Sequence, residues 1–187
     1  MTVLVFLLEE PSARAMLEGV LPRMLDESVS VHYLVFEGKQ DLEKQMVKRM
    51  RHWLAPNTCF VVMRDQDSAD CRAVRSRLKA LCTQAGRPDA LVRVACHELE
   101  SFYLGDLAAV ESGLQINGLS RHQEKRKSRA PDALANAADE LKKITQRRYQ
   151  KVRGSRAIGP HLKLDGSNRS HSFNVLISGI GTLAARG

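Results

Sequence analysis

Four short apolar runs punctuate the first half of the chain, and residues at helical spacing fill the gaps between them. Val3 to Leu8 is continuously apolar, the pattern of a parallel strand covered on both faces. Ser12 to Leu25 then carries Ala15, Met16, Val20 and Leu21 along one helical stripe. Val29 to Phe36 repeats the strand pattern, Gly38 interrupts it, and Asp41 to Leu54 returns to helical spacing through Leu42, Met46, Met50 and Trp53. Cys59 to Met63 predicts a third strand. Ser68 or Asp70 offers an N-cap for a helix running to Ala85, which Gly86-Arg87-Pro88 stops, and Ala90 to Cys96 predicts a fourth strand. Strands and helices alternating through short connections predict an α/β fold, a mostly parallel four-stranded sheet flanked by helices over residues 1–106.

The pattern weakens beyond Asp106. Leu107 to Gly118 reads as a short irregular or helical piece, Arg121 to Arg129 as a charge run, and Pro131 to Tyr149 as a helix with proline in its first turn. Lys151 to Lys163 contains Gly154, Gly159 and Pro160 and reads as a loop, after which Asn174 to Leu183 predicts a final helix. Residues 107–187 are thus expected to form a basic extension of helices and loops packed on the core.

The 187 residues, 43% of them hydrophobic, suffice for one sizeable core. Val3 to Leu8 is too short to span a bilayer, lacks a basic leader and runs into Glu9 and Glu10, so neither a signal peptide nor a membrane helix is expected. Cys59, Cys71, Cys82 and Cys96 fall singly, with no Cys-x-x-Cys spacing for zinc, and read as reduced residues of a cytoplasmic protein.

Charge is unevenly placed. Residues 121–163 hold 13 Lys/Arg against 4 Asp/Glu, leaving 16 against 17 elsewhere, so the whole excess of +8 comes from one segment. That segment reads either as a surface for nucleic acid, favoured by counterion release, or as a solvated basic loop. The candidate contacts to nucleic acid are Arg64, Lys125, Arg126, Lys127, Arg147, Arg148, Lys151, Arg153 and His171. Aromatic residues make up 5% of the chain, which gives little support to base stacking.

The acids point to a metal. Side chains alternate along a strand, so Asp65 and Asp67 at the end of the third strand are expected to face the same way. Two like charges about 4 Å apart cost roughly 4 kcal/mol at an effective dielectric near 20, so either a proton is retained or a cation sits between them. A hard divalent ion, Mg2+ or Mn2+, satisfies oxygen donors. Ligands of open α/β sheets bind at the carboxyl ends of strands, and there Glu9 follows strand one while Glu98 and Glu100 follow strand four. Asp65 and Asp67 would bind one ion, and Glu98 or Glu100 with Asp65 could complete a second site. Lys151 is a candidate for the scissile phosphate or an ordinary exposed lysine, and Arg64 is a second candidate beside the site. His171, between two serines, reads either as a proton-transfer or phosphate-binding group or as part of a helix cap. His97 reads as a structural residue at a strand end, and Phe102, Tyr103 and Leu104 as a packing face.

A Glu after the first strand and Asp-x-Asp after the third resemble the Toprim domain of topoisomerases, primases and overcoming-lysogenization-defect nucleases. The matching residues are Glu9 and Asp65-Gln66-Asp67. That family usually has glycine after the Glu; Glu10 stands there in this chain and leaves Glu9 and Glu10 as alternatives. Arg64 to Cys71, His97 to Asp106, Tyr149-Gln150-Lys151 and Ser170 to Phe173 together resemble the bacterial Toprim-like family called domain of unknown function 4276. The resemblance spans nearly the whole chain. It implies a Mg2+-dependent nuclease cutting DNA or RNA, with Glu9 as a ligand or general base and Glu9, Asp65, Asp67 and Lys151 as catalytic residues. Relatives are often encoded beside ATPases of the kind found in defence systems, which suggests an ATPase partner. The alternatives are a non-catalytic metal-binding or regulatory subunit, and a haloacid-dehalogenase-like phosphatase. The phosphatase places its Asp-x-Asp after the first strand, whereas two βα units precede it here.

Overall fold

The computed structural model describes residues 2–185. Four parallel strands, β1 (Thr2–Leu8), β2 (Val29–Val35), β3 (Thr58–Asp65) and β4 (Leu91–Ala95), form a sheet in the order β2-β1-β3-β4. Helices cover both faces, which is why the strands read as unbroken apolar runs. Leu4, Phe6, Leu8, Val61 and Met63 point to one face, Val5, Leu7, Phe60 and Val62 to the other, and all are buried. Fully burying side chains of this size contributes about 1.5–3 kcal/mol each.

The connections explain where a site belongs. Helix α1 (Pro11–Val20) joins β1 to β2 and packs into the first face, whereas α2 (Lys39–Arg51) and α3 (Cys71–Gln84) pack into the second. Right-handed crossovers on opposite faces make the chain leave β1 in one direction and enter β3 in the other. A crevice therefore opens between the carboxyl ends of β1 and β3, the position where open α/β sheets bind ligands. Among the two candidate caps of α3, Asp70 serves: its Oδ1 accepts from the Ala73 N–H at 2.8 Å.

Everything after β4 gathers on the face shared with α1. The helices are α4 (Ser101–Leu104), α5 (Leu107–Leu114), α6 (Arg126–Arg129), α7 (Ala137–Ile144), α8 (Lys151–Ile158) and α9 (His171–Ala184). Phe102, Val110, Leu141, Ile158, Phe173 and Leu176 join β1 and α1 in one continuous apolar cluster.

Two expectations fail here. Pro131 starts a 3-10 turn, Pro131–Ala133, and the helix begins only at Ala137. The stretch expected as a loop from Lys151 is the helix α8, because its glycines provide close contact. A Cβ on Gly154 would lie 2.4 Å from the Tyr149 ring, and one on Gly159 would lie 2.6 Å from the Met16 carbonyl oxygen. Glycine there costs helix propensity, offset by packing that a side chain would forbid.

Candidate metal centre

Glu9 leaves the end of β1, and its Oε2 accepts the backbone N–H of Asp65 at 3.0 Å, tying the β1 and β3 ends together across the crevice. Glu10 follows in extended conformation at φ −147° as the N-cap of α1, with Pro11 in the first turn. Extended backbone needs no glycine, so both glutamates fit. Lys151, the first residue of α8, reaches back to Glu10 Oε2 at 3.0 Å. Glu100 precedes α4 and is fully buried; Tyr149 Oη donates to its Oε1 at 2.9 Å, while its Oε2 has no hydrogen-bond partner.

Glu9, Glu10 and Glu100 therefore all lie close enough to Asp65 for their charges to act on it, with Lys151 the cation among them. Burial raises the Asp65 carboxyl well above its ordinary range, and the charges of Glu10, Glu100 and Glu9 raise it further. Burial likewise raises Glu9 and Glu100; the Asp65 N–H and Arg64 pull Glu9 partly back, and Lys151 and Tyr149 do so for Glu100. Burial alone would lower the Lys151 ammonium, but the Glu10 hydrogen bond and the charges of Glu10, Glu100 and Asp65 outweigh it and hold it protonated.

Asp67 is placed differently from the expectation. The strand ends at Asp65, and Asp67 takes a left-handed conformation with φ +56°. Its N–H donates to the His97 carbonyl at 2.8 Å, and the His97 N–H donates to Gln66 Oε1 at 3.2 Å, stitching the loop after β3 to the loop after β4. Strand alternation thus does not extend to Asp67. Its carboxylate meets Lys39 Nζ at 2.7 Å and Arg64 Nη2 at 3.6 Å rather than facing an unneutralised Asp65.

Arg64, the second candidate for a phosphate contact beside the site, is engaged with acids. Its side chain is 5% exposed, pairs with Glu43 at 2.8 Å, and comes within 3.9 Å of Glu9. It anchors the acids. Glu98 is turned away as well: its Oε2 accepts from the Ala138 N–H at 2.8 Å and caps α7, so Glu100 rather than Glu98 belongs to the cluster. Ser170 Oγ accepts from the Phe173 N–H and caps α9, which leaves His171 exposed in a different cleft.

The basic candidates divide. Lys151 stands in the site and Arg153 lies exposed on the same helix. Lys125, Arg126 and Lys127 border a separate cleft with Arg121, where Lys127 pairs with Glu140 at 2.5 Å. Arg147 and Arg148 are exposed on the turn before α8. Sequence reasoning left Glu10 open and missed Tyr149 as a site residue, although the Tyr149-x-Lys151 spacing carried both partners.

No three His, Cys, Asp or Glu side chains among the described residues are arranged to hold a metal ion as they stand. The donor set nevertheless fits a hard cation: all donors are oxygens, Asp65 and Glu100 are held apart from water, and Glu100 Oε2 lacks a partner. Such an ion would compete with Lys151 for Glu10. No helix of the described residues is long and apolar enough to cross a membrane.

A family model described as Domain of unknown function (DUF4276) matches residues 8–181. No curated protein and no solved structure matches the chain.

Proposed function

The chain belongs to the family described as Domain of unknown function (DUF4276), and we propose that it is a Toprim-type, Mg2+- or Mn2+-dependent nuclease that hydrolyses phosphodiester bonds of DNA or RNA. The observation that carries the reading is the orphaned Oε2 of fully buried Glu100, which with Glu9 and Glu10 lies close enough to Asp65 to act on its charge. An uncompensated buried carboxylate is costly, and a cation is the simplest partner. Asp65, Glu100 and Glu10 would hold the ion. When bound, it supplies Lewis-acid stabilisation of charge on the phosphoryl oxygens and lowers the pKa of attacking water.

The chain's own groups divide the remaining work. Arg64 fixes Glu9 and Asp67 in place from a buried position. Tyr149 holds one oxygen of Glu100 and leaves the other without a hydrogen-bond partner. Glu9, its carboxyl raised by burial, takes the proton as a water oxygen forms a bond to phosphorus. Lys151, kept protonated, neutralises the ester oxygen released as the old bond breaks.

A cleavage assay on supercoiled plasmid and on RNA with Mg2+ or Mn2+ tests this, comparing the natural chain with Asp65→Ala. Loss of metal-dependent cleavage in Asp65→Ala is expected, and equal cleavage by both proteins would refute the assignment. Metal binding without turnover on any substrate would instead support the non-catalytic subunit. An ATPase partner enters through the family resemblance, and adding any ATPase encoded beside the chain to the same assay tests it.

A further inference from the structure

On the far side of β3 from the β1 end of the crevice, β4 is an edge strand, and its inward face carries an arginine where an apolar residue would be ordinary. Leu91, Arg93 and Ala95 alternate onto the face covered by α9, and Leu91 and Ala95 pack into the apolar cluster there. Arg93 instead opens into a cleft of about 540 Å3 between α3, β4 and α9, together with Arg75, Lys79 and His171.

The guanidinium is built in. Arg93 Nε donates to the Val175 carbonyl at 3.1 Å and Nη1 to the Val92 carbonyl at 3.0 Å, which fixes its plane. A Cβ on Gly179 would stand 2.6 Å from Nη2, so α9 carries glycine where this group needs room. Yet among the described residues neither Arg93 nor Arg75 forms an ion pair. Burial, and then the charge of Arg75, lowers the pKa of Arg93. Two guanidinium groups thus repel each other with no carboxylate between them. Asp89, the carboxylate in this lining, is exposed and pairs with neither.

A positively charged cleft with fixed donors and no counter-ion calls for an anion. We propose that this cleft is a binding site for a phosphate group, held by Arg93 and Arg75 with Lys79 and His171 at its border. Among the described residues Arg93 Nη2 has no acceptor, and a guanidinium N–H suits an oxygen of a tetrahedral oxyanion. The site stands whether or not the acid cluster cleaves nucleic acid. A phosphate group has two sources, a nucleic-acid backbone and a free phosphate ligand, and the experiment separates them.

The full chain is titrated with inorganic phosphate by calorimetry at constant ionic strength, with chloride as the control anion, and with a labelled single-stranded oligonucleotide by anisotropy. Arg93→Gln removes the fixed donor, Gly179→Ala displaces it while keeping the arginine, and Arg75→Ala changes an exposed residue that the fold does not need. Circular dichroism checks that each variant is folded. Loss of a charge-assisted hydrogen bond should weaken phosphate binding about tenfold or more in all three. Parallel weakening of the oligonucleotide identifies the polymer backbone as the source. Unchanged oligonucleotide binding identifies a free phosphate ligand. No phosphate binding by the natural chain, or equal binding by it and the three variants, would overturn the proposal.

Discussion

The ammonium of Lys151 lies 3.0 Å from the carboxylate of Glu10, although 141 residues separate them in the chain. The contact joins α8 to the carboxyl end of β1 and places one fixed positive charge among four carboxylates. Lys151 stands where a cation belongs and competes with any ion that enters. Replacing it by methionine removes the competitor and leaves the carboxylates uncompensated. The expected outcome is a lower melting temperature in chelator, a larger stabilisation by Mg2+ than in the natural chain, and a loss of cleavage. Thermal unfolding with and without Mg2+, alongside the plasmid assay, checks each part.

Buried carboxyls make stability depend on pH in a defined direction. Glu9, Asp65 and Glu100 all hold protons to higher pH in the fold than their ordinary values of 4.5, 3.8 and 4.5. The fold then binds more protons than the unfolded chain, so stability present at low pH is lost as pH rises through the raised values. Metal-free protein should therefore melt at progressively lower temperature as pH rises above the ordinary carboxylate range, and Asp65→Asn should melt higher than the natural chain once Asp65 is ionised. Identical melting curves for the two proteins as pH rises would show that the Asp65 charge carries no burial cost.

Glu98 and Glu100 lie two residues apart and are expected to behave differently. Glu98→Ala removes the carboxylate that caps α7, costing about 1 kcal/mol of stability with metal binding retained. Glu100→Gln keeps the shape and the contact with Tyr149 but halves the donor capacity, so metal binding should fall while stability without metal is kept or improved. Melting temperatures and Mn2+ titrations on both variants separate capping from ligation.

Gly154→Ala tests the packing that delivers Lys151. Its Cβ would strike the Tyr149 ring at 2.4 Å, and overpacking of this kind costs about 1–3 kcal/mol. Because Tyr149 and Lys151 flank the same contact, cleavage should drop further than stability alone explains. Cleavage measured well below the variant's melting temperature distinguishes the two.

Much of this was legible in the sequence because parallel strands covered on both faces read as unbroken apolar runs, and the acids following Leu8 and Met63 sit at strand ends. The limits have physical causes. Strand alternation set Asp65 and Asp67 on one face, but the chain turns left-handed at Asp67, where it hydrogen-bonds His97 from another loop. Gly154 and Gly159 read as helix breakers because spacing cannot show that Tyr149 and Met16 press against them. Arg64 read as a candidate phosphate contact beside the site, since nothing local reveals that Glu43, distant in sequence, neutralises it. Glu98 and Glu100 share one local pattern and are separated by the fold alone, which sets α7 against the first and Tyr149 against the second.

The most direct test is whether Glu100 and Asp65 hold a cation together. Free Mn2+ gives a paramagnetic resonance signal that vanishes on binding, so a titration counts sites and affinity without needing a substrate. The natural chain should bind at least one Mn2+, and Glu100→Gln and Asp65→Asn should each weaken it about tenfold or more, the cost of removing a charged ligand. Equal Mn2+ binding by all three proteins, or none by the natural chain, would contradict a metal centre at the β1 and β3 ends.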